Sequence, residues 1–114
     1  NDIELFFIVD FAIILTTVSA AEEGRSIANT LVEKQLAACV NIFPKIYSVY
    51  RWEGQIQSET EVLLLIKTTK DLEAEVYREV QAVHSYDTPE LITLPITNGS
   101  ETYLDWLTAA VRKQ

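Results

Sequence analysis

"IYSVYRWEGQIQSETEVLLLIKTT", residues 46–69, is the stretch that decides the fold. Its first seven residues alternate as a strand with two different faces: Ile46, Ser48, Tyr50 and Trp52 on one, Tyr47, Val49 and Arg51 on the other. Glu53–Gly54 favours a tight hairpin turn, and residues 55–69 then return as the partner strand. Two helices of the same chain cannot cover so long a hairpin, so we predict that its outer part contacts another subunit.

The segments around this hairpin complete an alternating order of strands and helices. Ser19 and Glu22 form a capping-box pattern, which predicts a helix running to about Leu36. Pro44 cannot donate to a β-ladder and indicates a bulge or an edge strand. The other predicted elements are a buried strand at 11–18, the first part of the second strand at 38–43, a helix at 71–84, a strand at 90–96 and a final helix capped by Ser100.

The order is therefore β-α-β-β-α-β followed by a helix. This is the split β-α-β, or ferredoxin-like, plan, in which two helices lie on one face of a four-stranded antiparallel sheet. The fold class is α+β. We place one domain at residues 11–114 and treat residues 1–10 as an N-terminal extension of uncertain origin. The fold by itself indicates no function, because unrelated activities share it.

Composition describes an ordered globular chain that is markedly acidic. Of 114 residues, 48% are apolar and 23% are charged, as in a folded domain. Seventeen Asp and Glu against nine Lys and Arg give a net charge of −8. That field repels phosphate and anionic lipid, so we expect neither nucleic acid nor a membrane as a partner. The single cysteine cannot form an internal disulfide, which favours a cytoplasmic location.

The sequence offers no motif of a known catalytic centre. A Gly-rich phosphate loop, C-x-x-C, H-E-x-x-H and G-x-S-x-G are all missing. No nucleophile and base can be paired, so we expect a binding protein and no enzyme. Three polar residues each allow two interpretations: His84 packs at a helix end or binds a ligand, Cys39 is a buried hydrophobe or a ligand, and Lys67 is an edge residue or an anion-binding group.

Five stretches together resemble the CutA proteins, a family named for divalent-cation tolerance. The stretches are "LVEKQLAACVNIFP" (31–44), "SVYRWEGQI" (48–56), "EVLLLIKTT" (61–69), "HSYDTPELITLPI" (84–96) and "YLDWL" (103–107). The resemblance runs from about Phe11 to Val111. It implies a homotrimer resembling the PII-type signalling proteins, in which the long hairpins wrap neighbouring subunits. It also implies clefts between subunits that gather the family's recurrent polar positions: Cys39, Trp52, Glu61, Lys67, His84, Tyr86 and Glu90.

The resemblance leads to two hypotheses of function. The first is a trimer for divalent-metal tolerance, copper above all, with His84, Cys39 and Glu90 as metal ligands. The alternative is a PII-like signalling or interaction module without metal, whose cleft binds a small anionic metabolite. In that alternative Lys67 binds the anion and Trp52 forms a wall, in a cleft that also includes Glu61 and Tyr86.

Departures from the family weaken the expected copper site. Thr16 and Val83 stand where some members have cysteine and histidine, and thiolate and imidazole are the ligands that copper favours. We therefore expect weak copper binding, with Asp87 and Glu90 left as oxygen ligands for a harder ion. Ser85 stands where the family usually has proline. For His84 we predict a ring that lines a subunit cleft within reach of Glu90 or a neighbour's carboxylate.

Overall fold

A computed structural model describes residues 9–113 of the chain. Its four strands form one antiparallel sheet in the order β2-β3-β1-β4. The predicted α+β, ferredoxin-like architecture with an added C-terminal helix is thus confirmed. The elements are β1 Phe11–Val18, α1 Ala21–Glu33, β2 Cys39–Trp52, β3 Gln55–Thr69, α2 Glu73–Val83 (after a 3-10 turn at Lys70–Leu72), β4 Ile92–Ile96 and α3 Glu101–Ala110.

The extension placed at residues 1–10 falls outside the described residues except for Val9 and Asp10, so the domain boundary stays a prediction. Within residues 9–113, no helix has the length and apolar character that crossing a membrane requires.

The β2–β3 hairpin has the predicted turn and register. Glu53 and Gly54 both have positive φ, 49° and 77°, as a two-residue type I′ turn requires. Trp52 lies opposite Gln55, and pairing continues without interruption to Ile46 opposite Glu61. A register shift between Phe43 and Ile46 marks a bulge, and β2 is an edge strand. Both alternatives for Pro44 are therefore correct, because a residue without an N–H fits a bulge on an edge.

The core lies between one sheet face and helices α1 and α2. The sheet and the two helices both contribute the side chains that fill it. From the sheet come Ile14, Val18, Leu64 and Ile66, and from the helices Ile27, Leu31, Val76 and Val80. Gly24 lets α1 approach the sheet closely, since a Cβ there would lie 3.2 Å from Leu64 Cδ2. The opposite face of the sheet is less covered, and Phe43, Ile92 and Leu94 are nearly half-exposed on it.

Both predicted helix caps differ from the structure. Helix α1 begins at Ala21 with Ala20 as N-cap, so the Ser19 hydroxyl lies one residue too early to cap it. The capping-box prediction is wrong. Ser100 does occupy the N-cap of α3, but its side chain makes no capping hydrogen bond. The first helix also ends at Glu33, short of Leu36.

A Schellman motif ends α1. Gln35 takes the left-handed conformation, with φ 58°. The Leu36 N–H donates to the Leu31 carbonyl at 2.9 Å, and the Gln35 N–H donates to the Val32 carbonyl at 3.0 Å. These two bonds satisfy carbonyls that the last turn of a helix leaves free. They also turn the chain toward β2.

Candidate functional site

An open cleft of about 870 Å³ lies between the outer hairpin and the loop that follows α2. Four carboxylates and four aromatic rings line it, and no Lys, Arg or His of residues 9–113 does. We call it the acidic cleft. Its lining is Thr17, Tyr47, Ser48, Val49, Tyr50, Trp52, Glu59, Glu61, Tyr86, Asp87, Thr88, Pro89 and Glu90.

A tyrosine–carboxylate pair joins the two walls of the acidic cleft. The Tyr86 hydroxyl donates to Glu61 Oε2 at 2.8 Å. Glu61 is only 9% exposed, and it stands on β3 opposite Ile46, directly beside the bulge. Burial, followed by the hydrogen bond to Glu61, raises the pKa of Tyr86 well above its ordinary value, because both effects disfavour the phenolate. Tyr86 therefore stays a neutral donor over the physiological range.

His84 connects the cleft loop to the end of β1. Its Nδ1 accepts the backbone N–H of Tyr86 at 3.0 Å. Its Nε2 lies 2.8 Å from the Thr17 carbonyl oxygen, so Nε2 must donate there. The two contacts define a neutral imidazole with its proton on Nε2. Neither ring nitrogen is then free to bind a metal ion.

The predicted position of His84 at a cleft within reach of Glu90 is wrong for this chain. The side chain is fully enclosed in its own subunit, and the carboxylate beside it is Glu23, 3.9 Å from Nδ1. The enclosure is polar, with the Tyr86 ring centroid 4.8 Å away. The ring turns inward because only there does it reach both backbone partners, the Tyr86 N–H and the Thr17 carbonyl oxygen.

A second tether, which the sequence did not reveal, fixes the same loop to α1. The Glu23 carboxylate accepts from the Ser85 backbone N–H at 2.9 Å and from its hydroxyl at 3.0 Å. A proline at position 85 has neither donor. The departure from the family at Ser85 was the available signal, but the sequence did not indicate Glu23, 62 residues earlier, as its partner.

The structure brings together four of the seven predicted site residues. Those that line the acidic cleft are Trp52, Glu61, Tyr86 and Glu90. Other residues of the lining, chiefly Tyr47, Tyr50 and Glu59, were not among the predicted site residues. The Tyr50 hydroxyl donates to the Glu59 carboxylate. Their place on the hairpin was predicted, but not the loop after α2 that forms the other wall of the cleft.

Lys67 and Cys39 lie elsewhere in the sheet. They face each other across β3 and β2. The Lys67 ammonium lies 5.6 Å from the ring centroid of Tyr103 on α3, and the Cys39 thiol lies 3.9 Å from Asn41 Oδ1. Within one chain, therefore, Lys67 does not share the cleft with Trp52.

The donors among residues 9–113 do not form a copper site within one chain. In the part of the chain that the structure describes, no three His, Cys, Asp or Glu lie close enough together to hold a metal ion. The thiolate and imidazole that copper favours are outside the acidic cleft, which offers oxygen ligands suited to harder ions. The metal roles of His84, Cys39 and Glu90 stay predictions.

The fold and the cleft define a ferredoxin-like α+β protein with an open, acidic cleft lined by aromatic residues. The family model described as CutA1 divalent ion tolerance protein matches residues 12–110. The chain belongs to this CutA1 family.

Relatives and solved structures agree with this assignment. The chain is 47% identical over 95 residues to the divalent-cation tolerance protein CutA of Thermus thermophilus, covering 83% of this chain and 92% of that protein. It is 50% identical over 100 residues to the chloroplastic CutA of Arabidopsis thaliana, covering 88% of this chain but only 55% of that protein. The crystal structure of CutA1 from Oryza sativa superposes with a TM-score of 0.90 at 43% identity, covering 93% of this chain and 97% of that one.

Proposed function

We propose that this chain acts in divalent metal ion tolerance, and that it does so by binding a cation in the acidic cleft of a homotrimer. Relatives named for divalent-cation tolerance support the role. The observation on which the site rests is the lining: four carboxylates and no basic side chain among the described residues. Such a surface raises the local concentration of cations and repels anions.

The charge of the cleft also weighs against the alternative of an anionic metabolite. That hypothesis needs Lys67 beside Trp52, and within one chain Lys67 interacts with Tyr103 instead. The net charge of −8 acts in the same direction. A metabolite phosphate or carboxylate in this cleft would meet like charge on both walls.

We propose that the ion is bound weakly and that a neighbouring subunit completes its site. Among residues 9–113 of one chain the carboxylates are not grouped closely enough to hold an ion, and the exposed hairpin is suited to bring a second chain near. Oxygen ligands alone are a sparse set for copper, so affinity should be on the order of micromolar or poorer. We propose a binding role without catalysis and a cytoplasmic location, the latter supported by the lone Cys39.

Isothermal titration of the full chain with Cu²⁺, Zn²⁺, Mg²⁺ and ATP tests this proposal. Divalent ions should bind at about micromolar to millimolar affinity, and ATP should give no heat. The double variant Glu61→Gln, Asp87→Asn should lose about tenfold or more in ion affinity, because two charges leave the cleft. Glu33→Gln is the matched control, since Glu33 is an exposed carboxylate of α1 outside the cleft.

Two results would contradict this proposal. Binding of ATP that is lost in Lys67→Met would establish the anionic alternative. Nanomolar copper affinity that disappears in His84→Ala would show that imidazole, and not the carboxylates, holds the ion.

A further inference from the structure

The aromatic lining of the acidic cleft is unexplained by a site for a bare metal ion. Tyr50 and Trp52, from the same hairpin face as Glu61, and Tyr86, from the loop after α2, contribute three rings, and carbon faces offer a metal no lone pair. Ring faces do attract organic cations through their quadrupole. A ring on the other face of the hairpin already does so within the chain, since the Lys45 ammonium lies 5.5 Å from the centroid of Tyr47.

Glu61 supplies an independent reason for a positive ligand. It is only 9% exposed, and no Lys, Arg or His of residues 9–113 pairs with it. Its described donor is the Tyr86 hydroxyl, whereas a carboxylate has about four acceptor positions. A cationic ligand in the cleft could donate to the acceptor positions that Tyr86 leaves open.

The size of the cleft in one chain favours an organic cation over a bare metal ion. About 870 Å³ lies within the range of sites for organic ligands, roughly 300–1,000 Å³. No close group of three metal-binding side chains is found in the described part of the chain. We propose that the acidic cleft binds an organic ammonium ion, a quaternary ammonium or a protonated amine. Its hydrocarbon part contacts Trp52 and the tyrosine rings, and its charge lies near Glu61.

This inference rests on the proposed function only in taking the acidic cleft as the ligand site. Choline and 1,5-diaminopentane represent the two kinds of ammonium ion, and 3,3-dimethyl-1-butanol is a neutral analogue of choline with the same shape. Each is titrated into the full chain by calorimetry. A second readout is tryptophan fluorescence of the Trp106→Phe variant, because the chain has two tryptophans and Trp52 is then the only one.

We expect at least one ammonium ion to bind and the neutral analogue to bind about tenfold more weakly or worse. Trp52→Leu should lower ammonium affinity about three- to fivefold, as for one exposed cation–π contact. Glu61→Gln should lower it about tenfold while its amide oxygen still accepts the Tyr86 hydroxyl. Trp106→Leu is the matched control, because Trp106 on α3 is exposed to a similar extent, 47% against 52% for Trp52, but lies outside the cleft. Light scattering confirms that each variant keeps its assembly.

Equal binding of the neutral analogue would overturn the inference, as would no binding of either ammonium ion up to about 50 mM. The same protein is titrated with Zn²⁺ in parallel. Ammonium failure with Zn²⁺ binding refutes this inference and leaves the proposed function standing. Ammonium binding without any divalent-ion binding refutes the proposed function and leaves this inference standing.

Discussion

His84 is suited to its place because an imidazole carries one donor and one acceptor on opposite sides of a rigid ring. It accepts from the Tyr86 N–H and donates to the Thr17 carbonyl, and a hydrophobic side chain could do neither. The sequence placed this residue correctly at the end of α2. It could not supply Thr17 as a partner, because that residue is 67 positions away and only the fold brings it close.

The raised pKa of Tyr86 makes stability depend on alkaline pH. The folded state holds the Tyr86 proton more tightly than the unfolded state does. The stability that this proton contributes is therefore complete below pH 10, the ordinary tyrosine pKa, and is lost as the pH rises above it. We expect the free energy of unfolding to fall more steeply with pH for the wild type than for Tyr86→Phe. Urea unfolding at about pH 9 and pH 11 measures this. Parallel curves for the two proteins would contradict it.

Thr16 and Thr68 form a matched pair in the core with opposite expected effects. Both are fully buried. The Thr68 hydroxyl donates to the Leu36 carbonyl at 2.7 Å, whereas the Thr16 hydroxyl has no partner in the described part of the chain. Thr16→Val should stabilise by about 1 kcal/mol, and Thr68→Val should destabilise by about 1–2 kcal/mol. Chemical denaturation at fixed protein concentration measures the change in the free energy of unfolding for each variant. A loss of stability in Thr16→Val would indicate an unrecognised partner of its hydroxyl.

Among the elements, the hairpin turn offers the cleanest test of backbone conformation. A Cβ at Gly54 would meet nothing within 4 Å, so any cost of Gly54→Ala comes from its positive φ alone. We expect a loss of about 1 kcal/mol. Glu53→Asn should gain a few tenths of a kcal/mol, because asparagine tolerates the first position of a type I′ turn better. Thermal unfolding of both variants at one concentration checks the pair; a gain in Gly54→Ala would contradict the turn assignment.

The elements were predictable wherever the signal was local. Alternation along residues 46–52, the Glu53–Gly54 turn and the missing N–H of Pro44 all act within a few residues, and the structure confirms each. The first helix was less predictable at both ends. Its start does not use the Ser19 hydroxyl, and its end depends on Gln35 taking a left-handed conformation that favours glycine.

At the scale of the whole molecule, the acidic cleft joins two segments far apart in sequence. Trp52 and Glu61 come from the hairpin, and Tyr86 and Glu90 from the loop after α2. The resemblance to the family indicated that these residues gather, but residue types alone could not. Lys67 lies apart from them within one chain, and a family's list of recurrent positions does not say which of them share one cleft, so its place at a cleft between subunits stays a prediction.

The chain's own shape leads to the last prediction, a homotrimer. The molecule measures 55 × 27 × 23 Å, and the outer hairpin exposes Tyr47 by 75%, Val49 by 70% and Ile56 by 69%. Adjacent exposed apolar side chains on a projecting hairpin are typical of a surface that another chain covers. Val49→Asp would place a charge in that contact, and burying an unpaired charge costs several kcal/mol. Light scattering at micromolar concentration should give three times the chain mass for the wild type and a smaller mass for Val49→Asp. Val32→Asp, on the exposed side of α1, is the control and should keep the full mass. A wild-type chain that is a stable folded monomer would refute both the trimer and a cleft completed by a neighbour.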